Sequence, residues 1–194
     1  MNADLPELFT VPDVAAWRAW LDANESTSDG VWLVLAKKGT TEPTTLTYGQ
    51  ALEEALCSGW IDGQKGRIDD ATFRQRFTPR RKNSMWSQRN IGIVEGLIAS
   101  GRMRERGRAE IERARADGRW DRAYPGAATA EVPADLEAAL AASTSAAAAF
   151  GGLNGANRFA ALHRILTAPS DAVRARRLAR VIEMLEAGET PHPQ

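Results

Sequence analysis

Residues 31–35 have the sequence VWLVL, a continuous apolar run of strand length. The turn signal Asp29-Gly30 precedes it and the polar Lys37-Lys38-Gly39 follows it, so the run predicts a buried strand. Residues 73–77, FRQRF, alternate apolar and polar side chains, which predicts a half-buried strand with its arginines on the exposed face. A further strand is predicted to begin at Trp60-Ile61-Asp62, between these two.

A helix is predicted between the first two strands. Thr47 followed three residues later by Gln50 is typical of a capping box, and Gly59 is a natural helix stop. The apolar positions of this segment lie on one side, which predicts that Glu53 and Glu54 point outward into solvent.

From residue 84 onward the periodic segments are all helical, and residues 190–194 are predicted to be a loose tail. Strands early and helices late favour an α+β fold over a doubly wound one. We therefore expect a small antiparallel N-terminal sheet with early helices, followed by a helical C-terminal half. The corresponding division is an α+β region over residues 1–124 and a helical region over residues 125–194.

The composition excludes several classes of site. Cys57 is the single cysteine, so no intramolecular disulfide and no cysteine zinc site can form. With only His163 and His192 in addition, and without a phosphate-binding glycine loop, we predict no metal site and no cofactor. No apolar run is long enough to span a membrane and the first residues do not resemble a secretion signal, so we expect a cytoplasmic protein.

Charge is unevenly distributed although the net charge is zero. Residues 1–70 carry 12 acidic and 5 basic side chains, whereas residues 71–122 carry 14 basic and 6 acidic ones. This asymmetry predicts either pairing between the two segments or an anion-facing patch in the middle third. The remaining residues, with 7 acidic and 6 basic side chains, give no such signal.

Four short motifs carry a resemblance to a known family. They are ALCSGWIDG at residues 55–63, FTPRR at 77–81, SMWS at 84–87 with Asn90 after it, and DGRW at 117–120. In this order they resemble the YdeI/OmpD-associated family, over about residues 17–185. Ser58 departs from the pattern, because the family often has an aromatic residue there.

The resemblance implies a role in tolerance of cationic antimicrobial peptides and bacteriocins, and in stress responses. It also implies an N-terminal part similar to the small fold of the YjbR/CyaY-like proteins. It implies no reaction, so no catalytic residue can be transferred from it.

The motifs supply candidate ligand-binding residues. Arg80 and Arg81 can hold a carboxylate or phosphate, and Ser84 lies at a predicted helix start beside them. The full predicted set is Trp60, Asp62, Arg80, Arg81, Ser84 and Trp86. The alternatives are that the arginines pair with Asp62, Asp69 or Asp70, and that the indoles only pack in the core.

Three functions follow from these residues. The first is a tolerance protein that binds a small anionic or aromatic ligand, or a protein partner, in a cleft. The second is an enzyme acting on a small molecule, with Asp62 as base and Arg80 as stabiliser. The third, a nucleic-acid binder, is the least favoured because acids such as Glu105 and Glu110 interrupt the basic segment. The sequence makes no prediction of oligomeric state.

Overall fold

The computed structural model describes residues 7–193, which form two compact units. The first unit comprises residues 7–84 and 90–120, and the second comprises residues 85–89 and 121–193. None of the helices in these residues has the length and apolar character needed to cross a membrane. The predicted α+β fold, with a sheet in the N-terminal half and helices dominating the C-terminal half, is confirmed.

The first unit contains the sheet. Its elements are β1 (Leu8–Phe9), α1 (Val14–Asn24), β2 (Val31–Ala36), α2 (Tyr48–Cys57), β3 (Trp60–Arg67), β4 (Thr72–Pro79), most of α3 (Gln88–Ala99) and α4 (Glu105–Ala116). The strand order is β1-β2-β4-β3, with β2, β4 and β3 antiparallel and the two-residue β1 parallel to β2. The sequence analysis did not predict β1, because two residues are too few to show a period.

The core of the first unit lies on one face of the sheet. Leu33 of β2 and Phe77 of β4 are fully buried there, together with Trp17 and Leu21 of α1. The Trp17 ring lies 5.7 Å from the Phe77 ring, and its Nε1 donates to the Ala51 carbonyl at 3.1 Å. The first helix is thus tied to both the sheet and α2.

The second unit is helical. Its elements are α5 (Ala134–Ala141), α6 (Thr144–Gly151), α7 (Gly155–Leu166) and α8 (Asp171–Glu186). All four contribute to one apolar cluster, which consists of Leu136, Ala146, Phe150, Ala161, Leu162, Ile165, Val181 and Leu185. Ser143, Asn154 and Ser170 cap α6, α7 and α8 by accepting from backbone N–H groups three residues on.

The end of the chain is held more firmly than predicted. The side chain of the buried Asn157 donates to the His192 carbonyl at 3.1 Å and accepts from the His192 backbone N–H at 2.7 Å. A buried amide needs such partners, so residues up to His192 are tied to α7. The prediction of a loose tail is therefore wrong as far as His192.

Candidate functional site

The segments around residues 60 and 80 lie side by side, as β3 and β4 are neighbours. Trp60 pairs with Pro79, and the Arg80 backbone N–H donates to the Gly59 carbonyl at 3.0 Å. The Trp60 indole is fully buried, donates to the Glu25 carbonyl at 3.3 Å and meets the Trp20 ring edge-on at 5.7 Å. Trp60 is a core side chain with a satisfied N–H rather than the wall of an open pocket.

The two arginines of the FTPRR motif have different surroundings. Arg80 is 5% exposed, whereas Arg81 is exposed on the surface. The Arg81 backbone N–H donates to Ser84 Oγ at 3.0 Å, and the Ser84 N–H donates back to the Arg81 carbonyl at 2.9 Å. Ser84 therefore closes a turn with Arg81, and its hydroxyl is already engaged.

Arg119 of the DGRW motif supports the same turn. Its guanidinium is buried, pairs with Asp117 at 2.8 Å and donates to the Ser84 carbonyl at 2.7 Å. The motif was visible in the sequence, but the sequence analysis did not assign Arg119 a role. Its contacts make it a positioning residue for the loop after Pro79.

Asp62 does not form the ion pair that was weighed for it. Its Oδ2 accepts a hydrogen bond from the Tyr48 hydroxyl at 2.8 Å, and among the described residues it pairs with neither Arg80 nor Arg81. Asp62 is opposite Phe77 in the sheet register and therefore lies on the same face, where its carboxylate meets Tyr48 of α2. The prediction of an Asp62–arginine pair is wrong.

Trp86 belongs to the second unit. It is 2% exposed, and its carbonyl accepts from the Tyr124 N–H at 3.0 Å. The Gln88 N–H in turn donates to the Tyr124 carbonyl at 2.9 Å, so residues 86–88 lie beside Tyr124. Like Trp60, the Trp86 indole is enclosed.

Glu54 is buried, contrary to the prediction that it points outward. Its side chain is 6% exposed, and its two oxygens pair with Arg102 and Arg104 at 2.7 Å each. Arg104 also donates to Ser58 Oγ at 2.7 Å and pairs with Asp22 at 2.9 Å. These contacts join the acidic first third to the basic middle third, so internal pairing accounts for part of the charge asymmetry.

Cys57 lies beside this network at the end of α2. The thiol is buried, and burial followed by the nearby Glu54 carboxylate raises its pKa above the ordinary value of 9.0. A neutral, enclosed thiol is a poor nucleophile. Cys57 is thus a packing residue.

A basic groove of about 870 Å³ runs along α7 and α8 in the second unit. Four arginines line it, Arg164, Arg176, Arg177 and Arg180, against a single acid, Glu183. Among the residues that the structure describes, none of these arginines forms an ion pair. The groove therefore carries more positive than negative charge.

Arg177 is the anchored member of the groove. Its Nη1 donates to the Arg164 carbonyl at 2.8 Å and lies 3.3 Å from Thr167 Oγ1. The three other guanidinium-bearing side chains are exposed. The groove thus combines one fixed cation with three that can adjust to an anion.

His163 lies on the α7 side of the groove. Its ring is 4.5 Å from the Tyr124 ring in an edge-on arrangement. Burial first, and then the positive charge of Arg177, lowers the pKa of His163 below 6.5. At neutral pH the imidazole is therefore uncharged, and the arginines alone supply the positive charge of the groove.

A family model described as "Domain of unknown function (DUF8412)" matches residues 9–110, more than half of the chain. The chain belongs to this family. A second model, described as "Bacteriocin-protection, YdeI or OmpD-Associated", matches residues 129–188. That match confirms the family resemblance found in the sequence. No curated protein and no solved structure matches the chain.

The DUF8412 match and the bacteriocin-protection match cover different parts of the molecule. The motifs at residues 55–63, 77–81 and 84–90 fall in the DUF8412 segment, and DGRW at 117–120 lies outside both. All four helices of the second unit fall in the bacteriocin-protection segment, and so does every residue that lines the basic groove. The groove therefore lies within the segment that the bacteriocin-protection model matches.

The groove was not predicted from the sequence. Its signal is the spacing of arginines 174, 176, 177 and 180 on α8, which the balanced charge of the last third concealed. Arg174 pairs with Asp135 at 2.6 Å, which leaves the other three to the groove. The excess of arginines is visible along α8 alone, but not in the total charge of the last third of the chain.

Proposed function

We propose that this member of the DUF8412 family is a cytoplasmic protein of antimicrobial-peptide and bacteriocin tolerance that works by binding an anionic ligand. The observation that carries the proposal is the basic groove of α7 and α8, which lies within the segment matched by the bacteriocin-protection model. The six residues predicted from the motifs are a weaker basis, because Trp60, Arg80 and Trp86 are buried.

The chemistry of the groove favours phosphate groups. A guanidinium presents paired N–H donors that match two oxygens of one phosphate, and several guanidiniums together match a chain of phosphates. Four arginines against Glu183, with His163 neutral, give the lining residues a net charge of +3. We therefore propose a ligand with two or more phosphate groups.

Binding is favoured over catalysis for this chain. The candidate base, Asp62, is engaged by Tyr48 and has no arginine beside it as an ion-pair partner among the described residues. The candidate stabiliser, Arg80, has a buried guanidinium. An enzyme built on these two residues would need both to reach a substrate, and the Arg80 guanidinium is enclosed in this arrangement.

The proposal is tested by titrating the full chain with tripolyphosphate in a calorimeter. The variant Arg176→Gln/Arg180→Gln removes two exposed charges from the groove and should weaken binding by a factor of about ten or more. Arg158→Gln is the matched control, because Arg158 is an exposed arginine of α7 that lies over the Phe150 ring and outside the groove. It should bind like the unchanged chain.

A cell assay tests the biological role. In a strain that lacks the endogenous protein, the unchanged chain and Arg158→Gln should restore survival against a cationic antimicrobial peptide, and the double variant should not. Tripolyphosphate binding that is equal in all three proteins would place the anion site elsewhere. No binding at millimolar concentration, or restored survival with the double variant, would refute the groove as the basis of tolerance.

A further inference from the structure

The sheet of the first unit has a second face, opposite the core. Leu33 and Gln75 pair across β2 and β4 and are both buried, so their neighbours Trp32 and Arg76, which also pair, project from the other side. Leu8 of β1 pairs with Trp32 on that side and is 41% exposed. We call Leu8, Trp32 and Arg76 the outer row.

The outer row departs from the prediction that the VWLVL run is buried throughout. Trp32 is only partly covered, in contrast to the fully buried Leu33 beside it. A large aromatic side chain that remains partly open to solvent on a sheet face is a surface on which another planar group can stack. The partial exposure of Trp32 could not be predicted from the continuous apolar run.

Two arginines flank the Trp32 ring without a carboxylate partner. The Arg74 guanidinium carbon lies 5.0 Å from the centre of the ring, close enough for a cation–π contact. Arg74 Nε is buried without an acceptor, and neither the Arg74 nor the Arg76 side chain forms an ion pair or hydrogen bond with another described residue. Two such cations beside one indole attract an anion.

Glycines keep this face open. At Gly30, which has φ +122°, a Cβ would lie 2.5 Å from the Phe77 carbonyl and 3.1 Å from Arg76 Nη2. At Gly66 a Cβ would lie 2.5 Å from Arg74 Nε. At Gly30 the positive φ and the Phe77 carbonyl favour glycine, whereas a side chain at Gly66 would require the flexible Arg74 side chain to move.

A groove of about 340 Å³ follows the outer row, with Phe9 and Gly30 in its lining and the carboxylate-bearing Glu7 at one end. This volume is near the lower end for small-molecule sites, enough for one or two fused rings. The single acid in the lining disfavours a ligand with several negative charges. The groove therefore matches a small aromatic molecule with one anionic group.

We propose that this groove binds a planar aromatic monocarboxylate. Its ring stacks on Trp32 beside Leu8, and its carboxylate accepts from the Arg76 guanidinium, with Arg74 holding the indole in place. The proposal concerns the first unit and does not rest on the proposed function of the α7–α8 groove.

The test compares three probes by NMR titration of the full chain. 2-Naphthoate has the ring and the charge, 2-naphthamide has the ring alone, and cyclohexanecarboxylate has the charge alone. 2-Naphthoate should bind with a dissociation constant below about 1 mM and at least about tenfold more tightly than either of the others. The indole N–H signal that disappears in Trp32→Phe should move during the titration.

Variants locate the site. Arg76→Gln should weaken 2-naphthoate binding about tenfold and leave 2-naphthamide binding unchanged. Arg67→Gln is the control, since Arg67 is an exposed arginine of the neighbouring strand whose side chain pairs with Asp70. Both substitutions are at partly or fully exposed positions, and thermal unfolding checks that each variant is folded.

Several outcomes would overturn the proposal. If 2-naphthoate and 2-naphthamide bind equally tightly, the negative charge plays no part in binding. If cyclohexanecarboxylate binds as tightly as 2-naphthoate, the aromatic ring plays no part. Unchanged binding in Arg76→Gln, or an equal loss in Arg67→Gln, would place the ligand elsewhere. The absence of any shift in the Trp32 signal would exclude stacking on this residue.

Discussion

Removing the negative charge of Glu54 should destabilise the first unit more than any other single charge removal in α2. In Glu54→Gln the shape is preserved, but Arg104, whose side chain is 16% exposed, loses its main partner. It retains Asp22, which is 51% exposed and so compensates weakly. The amide can also turn only one acceptor oxygen toward two guanidinium groups.

The size of the expected loss of stability follows from the burial of the ion pair. Breaking a buried ion pair by removing one partner costs about 3–5 kcal/mol, because the remaining charge is left unpaired away from water. Since Arg104 keeps Asp22 and Arg102 is 40% exposed, we expect the lower end, about 3 kcal/mol. Glu53→Gln is the matched control, because Glu53 is 41% exposed and its pair with Arg102 should contribute about 0.2–1 kcal/mol.

Urea unfolding followed by tryptophan fluorescence measures the difference. Five of the six tryptophans lie in the first unit, so the signal reports mainly on that unit. With a slope of about 1–3 kcal/mol per molar urea, Glu54→Gln should lower the midpoint by about 1 M or more, and Glu53→Gln by much less. If the two variants shift the midpoint equally at unchanged slope, the buried network is not the stabilising feature we infer.

Three further predictions concern other parts of the molecule. The His163 pKa, followed by NMR, should lie below 6.5 and rise slightly in Arg177→Gln. It should also rise when tripolyphosphate adds negative charge to the groove, and a pKa that saturating tripolyphosphate leaves unchanged would contradict binding there. Gly107→Ala should lower the free energy of unfolding in urea by about 1–3 kcal/mol, because the new Cβ would overlap the Cys57 carbonyl and lie 2.6 Å from Met103 Cε. An unchanged midpoint would show that the packing of α4 on α2 adjusts readily to the extra atom. The Arg174 guanidinium lowers the pKa of Asp135 below its ordinary value of 3.8. The Asp135–Arg174 pair therefore stabilises the fold above about pH 3.8, and this stabilisation is lost as the pH falls through the lower pKa of the folded state. The stability difference between the unchanged chain and Asp135→Asn should therefore be larger at about pH 5 than at about pH 3, and a difference that grows in acid would reverse the sign we assign.

The elements that the sequence predicted well are those with a local cause. The capping box at Thr47 is present, with Gln50 Oε1 accepting from the Thr47 N–H at 3.0 Å, and Gly59 ends α2 with φ +71°. The FRQRF strand has its phenylalanines buried and its arginines partly exposed, as its alternation indicates. These features depend on residues a few positions apart, which a sequence displays directly.

The features that the sequence did not predict depend on distant partners. Glu54 follows the outward pattern of its helix, yet it is buried because arginines 48 and 50 positions later in the chain, Arg102 and Arg104, pair with it. Gly107 shows no turn signal, and its requirement comes from the Cys57 carbonyl against which α4 packs. No local window contains either pair of residues, so only the fold reveals why these residue types are present.

The same distinction decides which arginines are candidates for ligand binding. The middle third has the largest positive excess, but Arg102 and Arg104 in that third are neutralised by acids of the first third. Arg76 on the sheet, by contrast, and Arg176 and Arg180 on α8 form no ion pair with a described residue. An arginine that internal acids already satisfy gains little from a ligand, whereas an uncompensated one beside a groove gains a partner. The candidate sites therefore follow from the local balance of charge around each guanidinium, which is a property of the folded chain and not of its composition.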